Sequence, residues 1–214
     1  MNVLMTGGAG QIDNAIVKAL VENDHDVVVL GNLSPGERRA LHPEAAFVKA
    51  DITDDAKIVF TLLEHDIEAV VHSALLSELS SATEYFEQNT VASMGLLQAL
   101  LECGVKKLVL SSTATFLDQG ATTPINEERS LVPEDAYSES IYLIERMLSR
   151  LNQTNGLSYA SVRYPNVDGE IKCSLRRQLV DIAEVNALAL ELLEDEDAAI
   201  YKLSDKGHLS KFGL

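Results

Sequence analysis

Gly7 and Gly10 lie three residues apart, directly after the apolar run Val3-Leu4-Met5. Glycines at that spacing allow a turn whose backbone N–H groups approach a phosphate and lead into a helix N-terminus, which is how dinucleotides are held. A dinucleotide fingerprint wants another glycine three residues after Gly10, where helix and strand pack closely. Here that position is Asp13. Beside a pyrophosphate its charge would repel by about 1 kcal/mol or more. In a first helical turn the same charge complements the helix dipole. The sequence leaves both roles open.

Other residues able to do chemistry are fewer. His72 ends an apolar run, where open α/β sheets place ligands, although a histidine satisfied by a backbone group is the simpler expectation. Asp51 could contact a base or serve as a turn or N-cap residue. Ser111, Ser112 and Thr113 have no glycine-flanked elbow and no histidine at an interpretable position, so a hydrolase nucleophile is not indicated. The acids Glu191, Glu194, Asp195, Glu196 and Asp197 lack the ligand spacing and turn glycine of a cation loop, and read as a solvated helix end. Cys103 and Cys173 have no Cys or His at metal-ligand spacing, so neither a zinc site nor a disulfide framework is expected. No metal is expected.

These residues need elements to position them. Ile12, Ile16, Val17, Ala19, Leu20 and Val21 recur at helical spacing up to Asn23-Asp24, and Val27 to Leu30 is an apolar strand. A second cycle follows: a strand over Ala46 to Lys49, a helix over Asp54 to Glu64, and a strand over Ala69 to His72. Thr83 opens a long helix to about Glu102, stopped at Gly104, and Lys107 to Leu110 is a strand running into Ser111-Ser112-Thr113. After a turn-rich loop from Gln119 to Pro133, the pattern predicts a helix over Ala136 to Leu151 and a strand over Ser158 to Tyr164. A helix over Asp181 to Leu193 and a strand over Ala199 to Leu203 complete it. Alternating strands and helices predict an α/β fold, a Rossmann-like doubly wound parallel sheet with helices on both faces.

Composition limits the function classes. Of 214 residues, 46% are hydrophobic and 23% charged, an ordinary globular balance. A net charge of −16 argues against nucleic acid, whose phosphates are bound by clustered Lys and Arg, and favours solubility in high salt. The first strand starts immediately after Met1, which leaves no room for a leader, and no apolar run approaches a membrane span. A cytoplasmic protein without membrane contact is expected.

Several segments together carry a family likeness. They are Thr6-Gly7-Gly8-Ala9-Gly10, Asn32-Leu33-Ser34, Asp51-Ile52, His72-Ser73-Ala74, Asn89, Ser111 to Thr115, Tyr137, and Arg163-Tyr164-Pro165-Asn166-Val167. The run Asp181-Ile182-Ala183-Glu184 leading into Ala187 to Leu190 adds a substrate-region ending. The chain resembles the extended short-chain dehydrogenase/reductase superfamily and, within it, the UDP-glucose 4-epimerases. The resemblance implies NAD or NADP as cofactor, a nucleotide-sugar substrate, and epimerisation by hydride removal and return. It assigns cofactor binding to Gly7, Gly10, Gln11, Ile12, Asn32, Asp51, Ile52, Ala74, Asn89 and Tyr164, and proton chemistry to Tyr137 with Thr113. It implies a homodimer through two helices, carrying Leu96, Leu97, Leu100 and Leu101 and Ile141, Ile144 and Leu148, a pattern that core packing also explains. Residues 1–170 would form the dinucleotide-binding domain, and 171–214 a short remnant of the substrate region packed on it.

The chain departs from that family in four places. The activating lysine, four residues after the tyrosine, is Ile141; a phenol with a pKa near 10 needs a neighbouring cation to act as a base at neutral pH. The acid that holds the NAD ribose at the end of the second strand is Gly31, with Arg38 or Arg39 available either to a 2′-phosphate or to a short helix end. Asp13 is the third. Finally, only ten residues, Ile171 to Val180, stand where the family inserts most of its sugar pocket, so the substrate lobe is largely absent. Three readings follow: an epimerase-like NAD(P)-binding protein with impaired or no turnover, an active NADP-dependent relative with another proton relay, or a Rossmann scaffold without ligand.

Overall fold

The computed structural model describes residues 1–8, 10–113, 133, 135–164, 199–203 and 209–212; at 11, 113, 164, 199–203 and 209–212 it describes the backbone alone. The expected turn-rich loop, the helix over 181–193, the joint over 171–180, the acidic run over 191–197 and Cys173 lie outside the described residues, apart from Pro133.

Strands and helices alternate from the start: β1 (Asn2–Thr6), α1 (Gln11–Glu22), β2 (Asp26–Gly31), α2 (Pro35–Ala40), β3 (Ala46–Lys49), α3 (Asp55–Glu64) and β4 (Ala69–His72). There follow α4 (Ala82–Tyr85), a π-helical turn (Phe86–Val91), α5 (Ala92–Cys103), β5 (Lys107–Thr113), α6 (Ala136–Asn155), β6 (Ser158–Tyr164), β7 (Ala199–Leu203) and β8 (Leu209–Phe212). The sheet order is β3-β2-β1-β4-β5-β6-β7-β8. Neighbours are parallel from β3 to β7, as expected, and β8 adds an antiparallel edge that the sequence did not signal.

Side-chain alternation along each strand divides the core in two. Val3, Met5, Val27 and Val29 join Ile16, Val17 and Leu20 of α1 on one face. Leu4, Val28, Leu30 and Val70 join Ile58 and Leu62 of α3, Leu96 and Leu100 of α5, and Ile144 and Leu148 of α6 on the other. Both faces are covered, which is why these strands read as continuous apolar runs rather than alternating ones.

Local chemistry sets the helix ends. Ser34 and Glu37 form a reciprocal capping box at α2, and Asp135 with Ser138 does the same at α6. Asp54 caps α3 by accepting from Lys57 N at 3.0 Å. Two helices differ from expectation. The long helix contains the π turn, which carries the buried Asn89. Helix α6 runs four residues past Leu151; that last turn is polar, so it lacks the apolar spacing that marks a helix, and Asn152 Nδ2 ties it to Leu157 O at 3.0 Å.

Candidate functional site

Strand β1 lies between β2 and β4, where the sheet order reverses, so the loops after these strands share the crevice at their carboxyl ends. In the first loop Gly7 and Gly8 have φ of +100° and +94°, a region that side-chain-bearing residues rarely adopt. Gly7 N donates to Leu30 O at 3.0 Å, which pins the turn to β2. A Cβ on Gly31 would lie 2.9 Å from Gly7 O. The acid expected at the end of β2 therefore has no room beside this turn, and Gly31 is the residue the close approach requires.

Asp13, in the first turn of α1, folds back into the same glycine turn. Its Oδ2 accepts from Gly8 N at 3.2 Å and its Oδ1 from the Ser73 hydroxyl at 2.5 Å. A Cβ on Gly7 or on Gly10 would lie 3.3 Å from Oδ2. Burial pushes the Asp13 carboxyl above the usual range, outweighing the hydrogen bonds from Ser73, Gly8 and Gly10 that lower it. The helix N-cap, Gly10, has no side-chain cap of its own. The two roles left open by the sequence thus meet in one geometry: the carboxylate is satisfied locally, by the Ser73 hydroxyl and by the Gly8 N–H of the glycine turn itself.

Beyond Gly31, Asn32 and Asp51, both given to the cofactor by resemblance, bond each other. Asn32 Nδ2 donates to Asp51 Oδ2 at 2.5 Å. The other carboxylate oxygen accepts from Thr53 N at 3.0 Å and Thr53 Oγ1 at 2.8 Å, an Asx turn. Asp51 is therefore a turn residue, and the cap of α3 is Asp54. Ile52 is core, and Ile12 packs against the opposite core. Arg38 stacks over the Phe47 ring at 5.0 Å, and it lies with Arg39 in the last turn of α2, the helix-end role.

His72 is satisfied, but by side chains rather than the expected backbone group. Its Nδ1 lies 2.7 Å from Thr6 Oγ1 and its Nε2 2.7 Å from Ser93 Oγ, with no exposed surface. Thr6 Oγ1 already accepts from Ser73 N and Ala74 N, so its own proton goes to Nδ1, and counting partners assigns the ring proton to Nε2. Burial pushes His72 down to about 4. It is a neutral brace holding the loops after β1 and β4 against α5, with Ala74 set beside Gly7.

Tyr137 enters from the first turn of α6, its ring tilted against Tyr85 at 5.9 Å between centroids. Burial, then Asp135, then Tyr85 push its phenol up to about 12. One helical turn on, Ile141 has 0% exposure. Asn89, assigned to the cofactor by resemblance, is a brace here: it accepts from Leu76 N at 2.8 Å and donates to Leu76 O at 3.0 Å and Ser140 Oγ at 3.1 Å. Backbones of Thr113 and Tyr164 pair across β5 and β6; their side chains and that of Gln11 lie outside the described residues.

Beneath the site a buried group escaped the sequence reading. Arg163 on β6 pairs with Glu145 on α6, Nε to Oε1 at 3.0 Å and Nη2 to Oε2, and Ser112 Oγ donates to Oε1 at 2.7 Å. Its signal was a lone acid on the apolar Ile141, Ile144, Leu148 stripe. That stripe, with Leu96, Leu97 and Leu100, is core, whereas Leu101 is half-buried; Val91 of the π turn, Met94 of α5 and Leu143 of α6 are exposed apolar residues. Among the described residues no three His, Cys, Asp or Glu could hold a metal, and no helix is long and apolar enough to cross a membrane.

Tested against a dinucleotide, the site divides. The glycine turn has the open backbone that a pyrophosphate needs, whereas its Gly8 N–H is taken by the Asp13 carboxylate.

Comparison with known proteins agrees with the architecture. The profile of the NAD dependent epimerase/dehydratase family matches residues 3–198. UDP-glucose 4-epimerases of Lactobacillus helveticus and Halalkalibacterium halodurans are 35% and 36% identical over 173 residues, 79% of this chain and 52% of each relative. The chain thus spans about half the length of the curated relatives it matches. Among solved structures, the UDP-glucose 4-epimerase of Thermotoga maritima with UDP-glucose superposes with a TM-score of 0.87 at 26% identity, covering 99% of this chain and 79% of that one. The Thermus thermophilus UDP-glucose 4-epimerase complex with NAD gives 0.83 at 25% identity, with coverage of 99% and 79%.

Proposed function

The chain belongs to the NAD-dependent epimerase/dehydratase family, and from that premise we propose that it is a nucleotide-binding member that does not turn over nucleotide sugars. The observation that carries this reading is the pairing of Tyr137 with Ile141. A phenol held near 12 stays protonated at neutral pH, and the side chain one turn away offers neither charge nor donor. The lysine position of the family's Tyr-x-x-x-Lys pattern falls on Ile141.

The cofactor class is adenine dinucleotide, held weakly because of Asp13, with its adenosine at Asn32 and Asp51. Arg38, stacked on Phe47, does not favour NADP over NAD. A homodimer through α5 and α6 belongs to the same reading, with Val91, Met94 and Leu143 as its apolar contacts. The test is to incubate purified protein with NAD and UDP-glucose and measure UDP-galactose. No product above background is expected, and turnover at enzyme-like rates overturns the reading. Adenosine and ADP titrations in parallel separate a binding protein from an empty scaffold, because a ligand of the native state raises the melting temperature by mass action.

A further inference from the structure

We infer that Asp13 determines ligand specificity by setting the glycine turn against phosphate, so that the chain binds adenosine about as well as its phosphorylated forms. This rests on the nucleotide-binding reading above and goes beyond it by naming which part of the nucleotide is recognised.

The glycine turn has two things to offer a phosphate: backbone N–H donors and the positive end of α1. Asp13 consumes both. Its Oδ2 takes the Gly8 N–H, and its carboxylate sits in the first turn of a twelve-residue helix. The Ser73 hydroxyl, at 2.5 Å from Oδ1, holds the group inward. The closeness of Oδ2 to the Cβ positions of Gly7 and Gly10 places the negative charge inside the turn rather than on the helix surface. A phosphate arriving at the turn therefore meets a like charge in a partly desolvated place, where repulsion is stronger than in water. The nucleoside end is separate. Asn32 and Asp51 bond each other beyond the end of β2, and neither bonds Asp13.

The experiment compares adenosine, ADP and NAD by isothermal titration on the full chain in wild-type form, as Asp13→Asn and as Asp13→Gly. Asparagine keeps the size and removes the charge, and glycine removes both. Wild type should bind ADP within about threefold of adenosine, and each variant should raise ADP and NAD affinity by about tenfold or more while leaving adenosine within about twofold. Folding is checked by circular dichroism, and the near-isosteric Asn variant keeps the test open should the Gly variant not fold. Unchanged ADP and NAD affinity in the Asn variant, or adenosine rising in step with them, overturns the inference and leaves nucleotide binding standing. Absence of binding of all three ligands to every form overturns both.

Discussion

Asp13, half-buried, and His72, fully buried, are titratable groups that shift stability in opposite directions with pH. Burial raises the folded pKa of Asp13 above its ordinary 3.8. Its contribution is therefore complete at pH values below that figure, and is lost as pH rises through the folded value, since only the unfolded chain then ionises freely. Asp13→Asn should accordingly be more stable than wild type at pH 7, and the gain should vanish below about pH 4. Urea unfolding at the two pH values checks this; an offset that does not change with pH would show that charge is not the cause. His72 behaves the other way. Its folded value of about 4 lies below the ordinary 6.5, so its contribution is complete above 6.5 and is lost as pH falls through 4. The loss should be roughly 3 kcal/mol. In His72→Gln the part of the pH slope between 6.5 and 4 that belongs to this ring should disappear, whatever the variant's stability at pH 7. A slope unchanged by the substitution would assign acid sensitivity to other groups.

Helix α6 is fixed to the sheet by more than its apolar stripe, because Glu145 reaches Arg163 on β6 and Ser112 on β5. Breaking a buried pair strands its partner's charge and typically costs about 3–5 kcal/mol, whereas replacing both partners by apolar groups is often neutral. Glu145→Ala should therefore lower the unfolding free energy by about 3 kcal/mol or more, and Glu145→Leu with Arg163→Met should recover most of it. Denaturant midpoints of the single and double variants decide the matter; additive losses would remove the pair from the account. This pair also marks where sequence reading ends. Strands β1, β2 and β4 and the glycine turn were legible because their signals are local: an apolar run, then Gly7, Gly8 and Gly10. Glu145 and Arg163 are 18 residues apart and meet only through packing. Ser73 lies 60 residues beyond Asp13, so the direction of that carboxylate could not be read from the first turn of α1 alone. Ile141 was legible as a missing lysine, but only the fold shows it closed into the core. The π turn has the same origin, since Asn89 answers to Leu76 and Ser140, and β8 pairs at the sheet edge with no local mark.

Across the whole chain, 33 acids face 17 Lys and Arg, a net charge of −16. Among the ion pairs of the described residues are Lys18 with Glu22, exposed at 3.7 Å, and the buried Arg163 with Glu145. Exposed pairs of the first kind contribute about 0–1 kcal/mol. The folded state brings the excess acids closer together than the unfolded chain does, so self-repulsion acts against it. Salt relieves this by screening, over a length of about 10 Å at 0.1 M and about 3 Å at 1 M. The melting temperature should therefore rise as KCl goes from about 0.05 to 1 M and level off beyond, where the screening length is already shorter than the distance between neighbouring surface charges. The glycine turn should feel the same screening less, because its carboxylate is partly buried. The handicap of ADP against adenosine should shrink more slowly with salt than the melting temperature climbs. Melting curves and ADP titrations across one KCl series test both together. A flat or falling melting temperature would remove self-repulsion as a limit on this fold, and an ADP handicap that collapses by about 0.2 M would place the opposing charge on the surface rather than at Asp13.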